Sequence, residues 1–210
     1  MSWSHHIKYV KQKINSACYA LSQSKNKLPI LARKNIYNSL VTSHLNFGAT
    51  IYGSTKCKEF HNLETMQKKA IRHLTNQKYN AHTKPLFKSL NLLTLNAQIF
   101  LERVLFIHKY KHGKLPEAFK NLYTFYNDTN FNKIRSSNEN FILPNSNNNL
   151  GCKYPHIEAI KDWNQLPANL KNIYKFSEFK TSVKSFLLDK YEMECNNHRC
   201  NTCNNYPSNI

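Results

Sequence analysis

Apolar residues recur along this chain at intervals of three and four, the repeat that places side chains on one face of a helix. Between Trp3 and Ser22 the stripe is Ile7, Val10, Ile14, Ala17, Cys18 and Leu21, with Lys8, Lys11, Lys13 and Asn15 outside it. Pro29, pre-set for a first helical turn, opens a second helix through Ile36, Tyr37, Leu40, Val41, His44 and Leu45, which Gly48 and Gly53 loosen or end. A third begins near Glu59 and gathers Leu63, Met66, Ala70, Ile71 and Leu74 on one arc, leaving Lys68, Lys69, Arg72 and His73 on nearly the opposite arc. A short helix follows from Thr83 to Leu90, with Pro85 tolerated near its start. Thr94 then reads as the N-cap of a long helix carrying Leu95, Ile99, Leu101, Val104, Leu105, Ile107 and Tyr110, apolar on so many sides that it should be the central, most buried element.

After His112-Gly113 the pattern weakens. Pro116 introduces a short helix from Glu117 to Tyr123, and residues 127–149 then hold nine Asn, a composition for loop with room for one short strand or hairpin at Asn140 to Leu143. The helical repeat returns from Tyr154 to Asn164, stops at Leu166-Pro167, and resumes in a last helix capped by Ser177 and carrying Phe179, Val183, Phe186, Leu187 and Tyr191. The expectation is a mainly helical, all-α chain of about seven or eight helices. Its parts are a basic helical domain over 1–126, an Asn-rich loop over 127–153, a C-terminal helical segment over 154–191 and a disordered, Cys-rich tail over 192–210.

Charge changes the picture. The net charge is +18, and residues 1–116 carry 19 Lys or Arg against three acids, whereas 117–210 carry 11 against nine. A basic half with interleaved aromatics (Tyr9, Tyr19, Tyr37, Phe47, Tyr52, Tyr79) points to a polyanion, and to nucleic acid rather than a membrane surface. The competing origin is compositional: 25 Lys against five Arg, together with 29 Asn, is also what A/T-rich codon usage produces. The longest aliphatic or aromatic run, Val104 to Ile107, is far below the roughly 20 residues a bilayer requires, and no charged-then-apolar leader opens the chain, so an intracellular protein of nucleus or cytoplasm is expected.

Catalytic chemistry finds little to build on. Residues 1–58 contain no Asp or Glu and no Asp-Asp pair occurs anywhere, which removes the clustered carboxylates a two-metal polymerase or nuclease requires. Phosphate-cradling Gly-rich loops, His-Glu-x-x-His helices and Gly-x-Ser-x-Gly elbows are missing too, so no catalytic residue is assigned. His5-His6 and His108/His112 have pair spacing but no acidic or Cys partner nearby. The tail is the one metal candidate. Cys195, His198, Cys200 and Cys203 gather soft ligands for zinc, at a spacing tighter than two ligand pairs joined by a loop; a reduced, metal-free tail is the alternative. No other cofactor is called for.

One family matches this series of short motifs. Leu63-Glu64-x-x-Gln67-Lys68-Lys69-Ala70-Ile71-Arg72 followed by Tyr79-x-Ala81-His82-Thr83-x-Pro85-Leu86-Phe87 resembles the region after the polymerase core in reverse transcriptases of LINE-type, non-long-terminal-repeat retrotransposons, the jockey-like group in particular. The resemblance extends from Trp3-x-x-His6-Ile7 and Ile36-Tyr37-x-x-Leu40-Val41-x-Ser43-His44-Leu45-x-Phe47-Gly48 to Leu115-Pro116, Arg135-Ser136, Trp163-Asn164-x-Leu166-Pro167 and Phe176-Ser177-x-Phe179-Lys180. It implies a thumb and following C-terminal region of an RNA-directed DNA polymerase, packed against a template-primer duplex of RNA or DNA and lacking the catalytic palm. On that reading Lys68, Lys69, Arg72 and His73 meet the nucleic acid, with Lys8, Lys11 and Arg33 as neighbours. The missing palm is itself an implied partner. Some family members end in a Cys-Cys-His-Cys knuckle, from which the order Cys195, His198, Cys200, Cys203 departs. The alternative is a domesticated fragment whose apolar faces now meet another protein.

Overall fold

The computed structural model describes residues 3–54, 58–124, 140–144 and 154–190. They form α1 (Ser4–Gln23), α2 (Ile30–Tyr37), a π turn (Asn38–Thr42) leading directly into α3 (Ser43–Asn46), α4 (Ala49–Tyr52), α5 (Lys58–Thr75), α6 (Lys84–Ser89), α7 (Leu95–Lys111), a 3-10 turn (Glu117–Phe119), α8 (Pro155–Asn164), α9 (Ala168–Lys171) and α10 (Phe176–Asp189). The chain is mainly helical, as its periodicity predicts. The extra segments over the seven or eight expected come from one-turn pieces such as α4 and α9. The expected helix from Glu117 to Tyr123 shortens to the 3-10 turn, and α10 starts at Phe176, one residue before the expected cap Ser177.

Two compact units are present, one from the described residues of 1–98 and 186–210, the other from those of 99–185. The division falls inside α7 and α10 and not at the Asn-rich segment.

In the first unit the most extensive pairing is between α1 and α5. The predicted stripe of α1, from Ile7 to Leu21, is buried in full, as are Leu63, Ala70, Ile71 and Leu74 of α5. Cys18 behaves as a small hydrophobe: burial pushes its thiol up to about 11, which keeps it un-ionised at neutral pH. The neighbouring helix turns at Gly48, whose φ of 71° suits a residue without a Cβ, and the buried Tyr52 hydroxyl reaches back to donate to the Leu45 carbonyl.

The second unit is built on the later part of α7. Val104, Ile107 and His108 are fully enclosed and Ile99 nearly so, and α7 buries residues on more sides than any other helix, as its all-round apolar sequence predicts. Arg103 is buried beside Asp162 (3.1 Å) and Glu158 (3.7 Å); even so, burial outweighs the guanidinium and holds the Asp162 carboxyl above its usual range. The His108 Nε2–H donates to the Ile173 carbonyl at 2.9 Å while its ring stacks on Phe179, and burial biases it to the neutral form.

At Asn140 to Leu143, where the sequence leaves room for a short strand, the pairing amounts to a single bridge residue, Phe141, with the Ile142 N–H donating to the Thr124 carbonyl at 3.0 Å; no longer strand occurs among the described residues. A side chain adds to this pairing. The Asn164 amide accepts from the Phe141 N–H at 3.1 Å and donates to its carbonyl at 3.0 Å, the two bonds a neighbouring strand would supply. Phe141 is thereby seated edge-on to Tyr110, Tyr123 and Trp163.

No helix among the described residues is long and apolar enough to cross a membrane.

Ile107, with no exposed surface, has no room to solvate a charge. Ile107→Asp should therefore cost about 4 kcal/mol or more and abolish the cooperative unfolding transition. Circular dichroism during urea titration checks it; a variant as stable as wild type would show that the second unit is not organised on α7.

Candidate nucleic-acid interface

The predicted basic face of α5 is divided in two by the helix geometry. Neighbouring residues lie 100° apart, so Lys68 and Arg72 form one flank and Lys69 and His73 the next. The second flank borders α1: Lys69 acts on the buried Cys18 thiol, and His73 is pushed toward its neutral form by burial, then by Lys69 and Lys25. The first flank faces a cleft made by the chain that follows α5.

Two asparagines in the left-handed region shape that cleft. At the end of α5, Asn76 has φ 59°, the Asn76 N–H bonds to the His73 carbonyl and the Gln77 N–H returns to the Arg72 carbonyl at 2.9 Å, so the chain doubles back along the helix. Arg72 fixes the returning strand of chain, its Nε–H donating to the Ala81 carbonyl at 2.9 Å. After α6, Asn91 at φ 53° reverses the direction again, and the Leu92 N–H bonds to the Phe87 carbonyl. This brings residues 93–95 onto Gln67. That buried amide donates through Nε2 to the Tyr37 hydroxyl and the Leu93 carbonyl, both at 3.1 Å, and accepts the Leu95 N–H through Oε1 at 2.8 Å. Leu95 opens α7, so one side chain of α5 holds the tip of the next long helix.

The result is a cavity of about 500 Å³. Lys68, Arg72, His82 and Lys84 line it, over a floor that includes Ala81, Phe87 and Leu95. Glu64 is the one carboxylate in the lining, and its oxygens are taken up by the Asn96 amide and, at 3.1 Å, by His61 Nδ1. Among the described residues no salt bridge involves Lys68, Arg72 or Lys84. Their field is felt: His82 is driven toward neutrality first by burial and then by Lys84, Arg72 and Lys68, while burial also lowers Arg72. This arrangement suits a phosphate-bearing ligand, which would supply the missing negative charge.

The remaining predicted residues are dispersed. Cys18 meets Met66 and Asn26 meets Asn76, so α1 and α5 run in the same direction with an offset near 50 in sequence number. By that register Lys8 and Lys11 sit two to three turns from Lys68 toward the start of α5, ~10–15 Å along the axis at 1.5 Å per residue. Both are exposed. Arg33 is drawn inward on α2, with Nε and Nη1 enclosed and without hydrogen-bond partners, and is not among the residues lining the cleft. The zinc candidates Cys195, His198, Cys200 and Cys203 lie outside the described residues. Among those described, no group of three or more ligating side chains occurs.

Sequence reasoning passed over His82, Lys84 and the clamp of Gln67. The available signal was Asn76 directly after the last helical residue, a C-terminal reversal that returns the next segment to the same helix flank.

Gln67→Leu should leave the Leu95 N–H, the Leu93 carbonyl and the Tyr37 hydroxyl short of this partner in the interior. A loss of about 2–3 kcal/mol is expected in chemical denaturation, against a few tenths for an exposed control such as Asn62→Leu.

No family model, no curated protein and no solved structure matches this chain.

Proposed function

We propose that the Lys68 flank of α5 binds the sugar-phosphate backbone of nucleic acid, and that the chain is the thumb and following C-terminal region of a LINE-type RNA-directed DNA polymerase, without its catalytic palm. The observation that carries the reading is the grouping of Lys68, Arg72 and Lys84 around one cleft in which, among the described residues, Glu64 is the one carboxylate and none of the three cations is in a salt bridge. Solvated lysines scattered by codon bias would not converge in this way. The motif series from Leu63 to Phe87 supports the family half of the proposal, since it covers the helix, the return segment and α6 that together make the cleft. Binding through phosphates is sequence-tolerant and strongly salt-dependent.

A second reading, a protein-interaction module, is favoured by a different surface. Leu31 and Phe47 are 72% and 73% exposed, and Leu28, Ile30, Leu40 and Ile51 are exposed beside them in sequence on the α2 to α4 segment. Such a run of bare apolar side chains suits a docking face. It is compatible with the first reading if a polymerase palm packs there, and it replaces that reading if the basic cleft proves inert.

Duplex affinity measured against salt separates a placed surface from diffuse basicity. Lys68→Ala with Lys84→Ala should reduce the slope of log K against log salt by about two, at about 0.9 per phosphate neutralised. Lys180→Ala with Lys190→Ala, both exposed on or just after α10, should change it by much less. Equal losses in the two double variants, or no duplex binding at low salt, would remove the nucleic-acid reading.

A further inference from the structure

Two histidines in the second unit stand apart from the proposed binding surface. His108 and His112 lie one helical turn apart on α7, with ring centroids 4.4 Å from each other, and His108 has no exposed surface. The His108 Nε2–H is committed to the Ile173 carbonyl, so in the neutral ring Nδ1 carries the lone pair. That atom and Nε2 of His112 are both enclosed, with no hydrogen-bond partner among the described residues. Aromatic rings wall the pair: His108 stacks on Phe179 at 4.2 Å and lies 5.9 Å from Phe176, and His112 meets Tyr174 at 4.7 Å.

A proton arriving here finds no counter-charge. The charged neighbours on α7 and the turn after it are Lys109, Lys111 and Lys114, whose ammoniums sit over Phe176, Trp163 and Tyr174. From α9, Lys171 turns its ammonium to the Asn140 side chain and the Asn164 carbonyl. The segment before α10 and its first turns bring Tyr174, Lys175, Glu178 and Lys180, all exposed. Glu178, the carboxylate of that group, is not among the charges acting on either ring. Burial is the largest cause holding each ring toward its neutral form; Lys111 and Lys114 add to it, and the Ile173 carbonyl opposes it at His108. The Phe179 face would attract an imidazolium, an effect smaller than the cost of enclosing an unpaired ion.

We propose that the pair is an acid-sensitive latch: with both rings neutral it holds residues 173–179 on α7, and a proton on either ring loosens that contact. The device is independent of the basic cleft. Its sign follows from linkage. The unfolded chain takes up protons on these rings as pH falls through about 6.5, before the folded chain does. The second unit is therefore fully stable above that point and loses stability as pH falls from there toward the lower folded values.

Hydrogen exchange of the full chain at amides 104–111, corrected for intrinsic rates, tests this at about pH 7.5 and about pH 5.5. Protection should fall about tenfold for each ring that stays neutral in the folded chain. His108→Gln keeps a neutral donor for the Ile173 carbonyl and removes the titrating ring, so the His108 share of the fall should vanish. Tyr174→Phe keeps a ring against His112 and should retain the whole fall. Imidazole chemical shifts of the wild-type chain need no variant, and decide the matter if His108→Gln does not fold: both rings should titrate below about 6.5. A ring that titrates at or above that value, as a pair sharing one proton would, overturns the inference. So does unchanged protection between the two pH values, or an equal fall in wild type and His108→Gln.

Discussion

The amide of Gln67 is the joint on which the first unit depends. It is buried to 4% exposure and answers three groups from two other parts of the chain: the Tyr37 hydroxyl, the Leu93 carbonyl and the Leu95 N–H. The first N–H groups of a helix have no partner within it, and Leu95, itself 1% exposed, begins α7, where water is scarce. A carboxamide offers two N–H donors and an acceptor on one neutral group, which matches the two donations and one acceptance made here without burying a charge. By fixing residues 93–95 to α5 it fixes the far wall of the cleft. Lys68, Arg72 and Lys84 are thereby grouped around one half-open cleft, with both lysines still exposed to solvent.

What repeats at 3.6 residues was legible in advance. The stripe of α1 and, apart from the half-buried Met66, that of α5 are buried where the pattern places them, and α7 is enclosed on most sides because Leu95 to Tyr110 is apolar on most sides. What depends on one residue's backbone, or on one long-range hydrogen bond, was not. Asn76 and Asn91 adopt positive φ and reverse the chain twice within 16 residues, although neither breaks a hydrophobic repeat. Asn164 anchors Phe141 with a pair of side-chain bonds, which no alternation of polar and apolar residues encodes. The π turn at Asn38–Thr42 interrupts a helix whose apolar spacing looks regular; nothing in the structure explains it.

The site was half legible for a related reason. Charge on a helix face is visible in sequence, but what the face opposes is set by neighbours distant in the chain. Lys68 and Lys69 are adjacent in sequence and serve different sides, one toward the cleft and one toward α1. Arg72 reads as a free cation and is in part a brace, its Nε committed to the Ala81 carbonyl. Arg33 reads as surface and has buried nitrogens. Conversely, His82 and Lys84 join the cleft only because Asn76 turns the chain back.

The central claim is that polyanions meet this protein on the Lys68 side of α5. Amide chemical shifts recorded while a short duplex is titrated into the labelled chain address it position by position. The account predicts shifts concentrated at residues 68, 72, 80–84 and 94–96, diminishing as salt is raised. Shifts spread evenly over the lysines of both units, or confined to the exposed apolar positions around Leu31 and Phe47, would contradict it.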